Sequence, residues 1–126
     1  GRVQGVRSLD IARSHGVRIC FGSDLLGELH PHQAAEFDIL ARVLSPAEVL
    51  QSATLRCAQL FGKTRIGAVE AYYDADLVLL DADPLADPSV LSHPERHVKM
   101  VIKEGLVAAA VPVPGLEGAN AVLVRV

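Results

Sequence analysis

The sequence predicts an α/β fold, because its hydrophobic pattern changes along the chain from a helical period to short strand-like runs. Residues 1–62 carry apolar side chains at helical spacing, interrupted by a nearly continuous apolar run at residues 17–21. Such a run is typical of a parallel strand that is covered on both faces. From residue 63 onward, short apolar runs are separated by Gly, Pro and Asp turn signals. We therefore predict two parts, residues 1–62 and residues 63–126.

A helix, a strand and a polar turn open the first part. Apolar residues within segment 9–12 indicate the helix, and His15-Gly16 is typical of a glycine-capped helix end. The strand is predicted at Val17–Phe21, and Gly22-Ser23-Asp24 follows its carboxyl end. In parallel α/β folds, side chains just beyond the carboxyl ends of strands line the active site. Asp24 is therefore a candidate functional residue, although Asp is also favoured in turns and helix caps.

Two further helices are predicted before residue 63. The second spans Ala34–Leu44, where apolar residues recur at positions i, i+3 and i+7 from Phe37. The third begins at Ser45-Pro46-Ala47-Glu48, which combines an N-cap Ser, Pro at the first helical position and Glu at the third. This capping box starts a helix that Gly62 ends.

The second part is predicted to contain mainly strands. They are expected at Asp76–Leu80, Val98–Lys103, Leu106–Val111 and Ala121–Val126. Asp83-Pro84 and Asp87-Pro88 are turn signals that bracket a loop, and a further loop is predicted at Pro112–Gly118. Alternation of residues within 98–103 predicts that this strand is buried on one face only.

The charge and composition of the chain disfavour nucleic acids and membranes as partners. The formal net charge is −3, the basic residues are scattered, and aromatic residues make up 4% of the chain. A nucleic-acid surface would instead show clustered Lys and Arg, with aromatic rings on which bases stack. The longest apolar run, Leu106–Val113, is broken by Pro112 and is far shorter than the ~20 residues of a membrane span.

The length of the chain points to part of a larger protein. With 126 residues and 50% hydrophobic content, it can form one ordinary domain but not a complete α/β barrel, which typically takes about 250 residues. Because the chain also starts with Gly1, we expect it to be the C-terminal piece of a longer protein, whose localisation the sequence leaves open. Cys20 and Cys57 are expected to be reduced core thiols.

The order of several short motifs resembles a known family. Phe21-Gly22-Ser23-Asp24-Leu25-Leu26-Gly27 is followed by Ser45-Pro46-Ala47-Glu48 and then by Asp74-Ala75-Asp76-Leu77-Val78. This combination resembles the C-terminal part of the metal-dependent amidohydrolases, nearest to their imidazolonepropionase-like and Xaa-Pro dipeptidase-like branch. The resemblance covers about residues 14–107.

The resemblance implies a composite architecture and a hydrolytic reaction. Residues 1–62 would hold the last strand and helices of a TIM-like (β/α)8 barrel, and residues 63–126 the C-terminal strands of a small β-sandwich. The intact protein would hydrolyse C–N bonds in a small amide or peptide-like substrate through a metal-activated hydroxide. It would also form a homo-oligomer.

Asp24 is the position that the resemblance makes catalytic. In the family, an Asp at the end of the eighth barrel strand binds a catalytic divalent metal and carries protons, so Asp24 would be both metal ligand and catalytic residue. The cofactor would be Zn, as one or two ions. One carboxylate cannot hold such a metal, which needs about three protein ligands. The other ligands would lie outside this sequence, and the 126 residues alone would be inactive.

Other polar residues of this region are given lesser roles. His30-Pro31-His32 has the spacing of a ligand pair, but it lies in a loop after the strand, and we do not expect it to be the primary metal site. His30 is predicted to contact a substrate carboxylate instead. Glu28 and Glu36 are expected on solvated faces or in caps.

Five residues of the second part are expected to be structural or exposed. Asp74 and Asp76 are expected to shape the entry into a strand. Tyr72 stands where relatives usually have Gly, so the turn there either differs or is strained. The histidines of the segment 93–97 are expected to face solvent.

Two alternatives to this function remain open on the sequence alone. The first is a non-catalytic β-rich module used for assembly. The second is another branch of the same superfamily, such as the enzymes that open cyclic amides, which would differ in substrate only.

Overall fold

The computed structural model describes residues 2–110 and 122–125, with helices in the first half and a small sheet in the second. The helices are α1 (Arg2–Ser14), α2 (Glu36–Leu40), α3 (Pro46–Ala53), α4 (Leu55–Leu60) and α5 (Pro94–His97). Two 3₁₀ helices lie at Gly27–Ala35 and Pro88–Ser92. The strands are β1 (Leu77–Leu80), β2 (Val98–Lys103), β3 (Leu106–Ala110) and β4 (Val122–Arg125).

The first helix confirms the prediction, whereas the first strand does not form. Helix α1 is followed by Gly16, whose positive φ of 71° is the left-handed conformation that favours glycine after a helix. Residues 17–26 have no regular secondary structure. The prediction of a strand at Val17–Phe21 is therefore wrong for the described part of the chain. A strand exists only through hydrogen bonds to a neighbouring strand, and no described strand lies beside this segment.

The second predicted helix is shorter and starts differently than its hydrophobic pattern indicated. A 3₁₀ helix with Pro31 inside it precedes α2, which ends at Leu40, and residues 41–43 form turns rather than helix. The apolar spacing is nevertheless used, because Leu40 and Leu44 are both buried. The pattern therefore predicted the buried face correctly and the helix bounds incorrectly.

The third helix begins as predicted and is broken in its middle. The side chain of Ser45 accepts a hydrogen bond from the Glu48 N–H, and the Glu48 carboxylate accepts one from the Ser45 N–H, which completes the capping box. Thr54, at φ −123° and ψ −96°, separates α3 from α4. Gly62 follows the end of α4 at φ +66°. The predicted helix is thus two shorter helices.

The four strands form one antiparallel sheet in the order β3-β2-β1-β4. The four predicted strands are confirmed within the described residues. Both Asp-Pro turns are also confirmed, because carboxylate oxygens of Asp83 and Asp87 accept hydrogen bonds from the main-chain N–H groups two residues further along the chain. The expected alternation along β2 is wrong. Its first five residues are all half-buried, so neither face of this strand is fully open to solvent. Val111 and the predicted loop Pro112–Gly118 lie outside the described residues.

Most of the core of the described residues lies in two small apolar clusters that share one side chain. The first contains Leu40, Leu44 and Val49, and the second contains Leu80 and Val90. Leu91, on the second 3₁₀ helix, packs against both clusters. This helix therefore joins the helical part of the chain to the sheet.

Candidate functional site

The segment that leads to Asp24 is held by contacts with three helices. The Phe21 N–H donates to the Ser52 carbonyl at 2.9 Å, and the Phe21 ring stacks on Phe37 with centroids 4.3 Å apart. Ile19 and Phe21 also pack against the first apolar cluster. The thiol of Cys57, on α4, contacts the Phe21 carbonyl at 3.7 Å. Residues 19–21 are therefore held in place by these contacts, although they do not form a strand.

Asp24 lies three residues after the anchored residue Phe21. Its backbone has a positive φ of 49°, which Asp tolerates better than most residues, and its side chain is exposed. Among the side chains that the structure describes, none makes a hydrogen bond or an ion pair with the Asp24 carboxylate. Residues in this uncommon conformation cluster at active sites and binding sites. The carboxylate is thus available to a ligand.

The residues after Asp24 form the first 3₁₀ helix, which begins at Gly27. The backbone of His30 lies within this helix. Positions 30 and 32 are about two-thirds of a turn apart, because a 3₁₀ helix has about three residues per turn. Glu28 is exposed as expected, whereas Glu36 is half-buried and burial raises the pKa of its carboxyl. Glu36 meets the other expectation, a place in a cap, because it caps the end of the first 3₁₀ helix and begins α2.

The described residues do not hold a metal ion by themselves. No group of three or more His, Cys, Asp or Glu side chains is placed for metal binding in the described part of the chain. Asp24 fits the role of one ligand, because its carboxylate is exposed and unpaired there. A catalytic site needs about three such ligands.

A polar groove that the sequence did not predict lies beside the 3₁₀ helices. It has a volume of about 280 Å³, and its polar lining residues are His32, Asp38, Ser92, His93 and Glu95. The Ser92 hydroxyl donates to the Asp38 carboxylate, which joins α2 to the second 3₁₀ helix. The groove is built from two distant stretches of sequence, and no local pattern marks such a meeting.

The acidic residues before β1 have a structural role, as predicted, and the Asp74 carbonyl accepts a hydrogen bond from the Asp76 N–H at 2.9 Å. Asp76 is buried and accepts hydrogen bonds from Lys103 Nζ at 2.6 Å and from the Glu104 N–H at 2.8 Å. These bonds hold the turn between β2 and β3. Tyr72 has a positive φ of 66°, so the turn is strained, as its departure from Gly indicated.

The two histidines of the segment 93–97 differ in exposure. His93 is exposed as predicted and lies 3.4 Å from Glu95 through Nδ1. His97 is half-buried, and its Nδ1 lies 2.7 Å from Asp81 Oδ1. The expectation of a solvent-facing His97 is therefore wrong, because this side chain is drawn to a carboxylate at the end of β1.

Comparison with known proteins decides the family. A model of the amidohydrolase family matches residues 2–107. The chain belongs to the amidohydrolase family. The resemblance noted from the motifs around Asp24 is thereby confirmed. No curated protein sequence matches the chain.

Solved structures of amidohydrolases share this fold. A prolidase complexed with N-methylphosphonate-L-proline is 39% identical over 85% of this chain, with a TM-score of 0.81. A Xaa-Pro dipeptidase with methionine bound in its active site is 30% identical over 83% of the chain, with a TM-score of 0.74. An ochratoxinase from A. niger, at 23% identity over 86% of the chain and a TM-score of 0.71, shows the fold alone.

The chain spans only part of these relatives. It covers 26% of the prolidase chain and 25% of the dipeptidase chain. The structure is accordingly a mixed α/β piece of the amidohydrolase fold, with helices and a small antiparallel sheet. A complete barrel and a β-sandwich are absent from the residues described. No described helix has the length and apolar character needed to cross a membrane.

Proposed function

We propose that the full-length protein is a metal-dependent hydrolase of C–N bonds in amide or dipeptide-like substrates, and that Asp24 is a metal ligand and proton carrier. The observation that carries this proposal is the exposed, unpaired Asp24 carboxylate at the end of an anchored segment. The family supports the reaction class, and the prolidase and Xaa-Pro dipeptidase among the relatives support a dipeptide-like substrate.

The chemistry assigned to Asp24 follows from its charge and position. An ionised carboxylate takes a proton from the attacking water and then gives that proton to the leaving amine. The metal, when bound, acts as a Lewis acid that activates water and polarises the substrate carbonyl. We propose zinc, as one or two ions, with the remaining ligands supplied by the rest of the protein. The 126 residues alone are therefore inactive in this proposal.

The proposed architecture assigns each part of the chain a place in a larger protein. Residues 1–62 form the end of a barrel, and residues 63–126 contribute strands to a β-sandwich in a homo-oligomeric enzyme. Two features support this arrangement. Segment 17–21 has no described partner strand, and all five residues of β3, at the edge of the described sheet, are exposed.

Replacing Asp24 in the full-length protein tests the central assignment. Asp24→Asn keeps the size of the side chain and removes its charge, so we expect kcat/KM for Xaa-Pro dipeptides to fall about 100-fold or more. Asp10→Asn, which changes an exposed carboxylate on α1, is the matched control and should leave kcat/KM unchanged. Metal content is measured in both variants. Undiminished turnover and metal content in Asp24→Asn would refute the assignment.

A second variant tests the substrate contact proposed for His30. His30→Ala should raise KM more than it lowers kcat, because a residue that only holds substrate contributes to binding. His32→Ala is the control on the same 3₁₀ helix. Loss of metal from His30→Ala together with retention of metal in Asp24→Asn would show that the metal ligand was assigned to the wrong residue.

The non-catalytic assembly module remains a second candidate, and the exposed edge strand β3 favours it. Leu106 and Val107 are 75% and 59% exposed on this edge, and unpaired strand edges promote association. This candidate requires that the full-length protein bind no catalytic metal and hydrolyse no dipeptide. The assays of the Asp24 variant therefore separate the two functions.

A further inference from the structure

The two cysteines lie next to each other beneath the segment that carries Asp24. The Phe21 N–H and the Cys57 Sγ–H donate to the same acceptor, the Ser52 carbonyl oxygen, at 2.9 and 3.0 Å. The Cys57 sulfur also lies 3.7 Å from the Phe21 carbonyl oxygen. It is therefore placed alongside the backbone of the residue that directly follows Cys20.

Both thiols are free and half-buried, so each is reachable by a small reagent. A disulfide needs Cα atoms about 4.4–6.8 Å apart, and consecutive Cα atoms are about 3.8 Å apart. The Cys20 side chain is also a hydrogen-bonding neighbour of the Cys57 thiol, so the two sulfur atoms lie close together. Burial raises the pKa of the Cys57 thiol, and the neighbouring Cys20 thiol raises it further.

We propose that Cys20 and Cys57 form a redox-sensitive pair, which a peroxide closes into a disulfide that ties segment 17–26 to α4. In the first step the Cys20 sulfur attacks hydrogen peroxide and becomes a sulfenic acid, with release of one water. In the second step the Cys57 sulfur attacks the sulfenic sulfur, and a second water leaves. Two thiols thus lose two electrons and two protons, and the peroxide is reduced to two waters.

The disulfide form links segment 17–26 covalently to α4 at Cys20. In the reduced form, main-chain hydrogen bonds from this segment to the helices include Phe21 N–H to the Ser52 carbonyl and Val17 N–H to the Ala12 carbonyl. The disulfide adds a link of defined geometry at the neighbouring residue. Because the thiolate is the reacting species and the Cys57 pKa is raised, closure should be slow at neutral pH and faster at alkaline pH.

Peptide mapping of the full-length protein tests this proposal independently of any activity assigned to Asp24. The protein is treated with hydrogen peroxide at pH 7 and pH 9, and unreacted thiols are blocked before non-reducing digestion. We expect a peptide pair linked through Cys20 and Cys57, formed faster at pH 9 and released by a reductant. Cys20→Ser and Cys57→Ser are matched controls that should each abolish the linked pair.

Amide hydrogen exchange of residues 19–26 measures how far the disulfide restricts the motion of this segment. We expect exchange in the oxidised protein to slow at least about tenfold relative to the reduced protein, since a native disulfide usually stabilises the state in which it forms. Separate over-oxidation of the two cysteines without a linked peptide would overturn the proposal. A linked pair that leaves the exchange of this segment unchanged would overturn the assigned effect on the segment.

Discussion

Replacing Gly67 by Ala should destabilise the protein, because Gly67 is buried directly against the break between α3 and α4. A Cβ atom at this position would lie 3.0 Å from Ala58 Cβ, 3.0 Å from Leu55 Cα and 3.1 Å from the Thr54 carbonyl carbon. Two of these atoms belong to the backbone, so they can yield only if the helix break moves. Gly67 also has a positive φ of 86°, a conformation that side chains with a Cβ rarely adopt.

The expected magnitude combines three effects. The left-handed conformation costs a residue with a Cβ about 1–2 kcal/mol, and overpacking a close contact adds about 1–3 kcal/mol. Removing the freedom of glycine in the unfolded chain returns about 0.4–1 kcal/mol. We therefore expect Gly67→Ala to lower the free energy of unfolding by about 1–4.5 kcal/mol.

Gly62→Ala is the matched control for this experiment. Gly62 has a positive φ of 66°, but an added Cβ there would meet no atom within 4 Å. This variant should therefore lose at most about 1.5 kcal/mol, which is the conformational cost without the close contact.

Denaturant unfolding of the full-length wild type and both variants measures the difference. The midpoints are compared at constant m value, and hydrogen exchange in α3 and α4 locates the loss. Equal losses in Gly67→Ala and Gly62→Ala would refute the argument that close packing against the helix break requires glycine at position 67.

Two further predictions concern the strained turn and the ion pairs of the sheet. Tyr72→Gly should raise the free energy of unfolding by up to about 1 kcal/mol, because it relieves a positive φ at a side chain that is 90% exposed. Tyr72→Ala, which removes the ring and keeps the strain, should show no such gain in denaturant unfolding. Hydrogen bonds from the Lys99 ammonium, and then from His97, lower the pKa of the Asp81 carboxyl from its usual 3.8. The ionised carboxylate therefore stabilises the fold above about pH 4, and this stabilisation is lost as the pH falls through the pKa of the folded state. Asp81→Asn should therefore cost about 0.2–1 kcal/mol at pH 7, and a difference that persists unchanged at pH 2 would contradict this reasoning.

Local signals in the sequence determined the features that depend on a few neighbouring residues. The capping box at Ser45 joins groups only three residues apart, and the turns at Asp83 and Asp87 close over two residues. The strain at Tyr72 was likewise predictable, since it follows from the side chain that occupies one backbone position. The motif around Asp24 also indicated the family that the comparison confirmed.

Helix and strand limits were predicted incorrectly where they depend on neighbouring elements of the fold. The run Val17–Phe21 has the composition of a buried strand, but a strand requires a neighbour to which it can hydrogen-bond, and none of the described strands lies there. The apolar spacing after Ala34 marked the buried face correctly. It could not show that a 3₁₀ helix containing Pro31 would replace the first turns of an α-helix.

Only the tertiary structure decided which distant residues meet. Gly67 packs on the α3–α4 break, Cys57 lies against the backbone beside Cys20, and His97 pairs with Asp81 across two elements. Each of these contacts joins residues that carry no mutual signal in the sequence. Their meeting depends on how the helices and the sheet pack around the shared apolar core, which is a property of the whole chain and of no single segment.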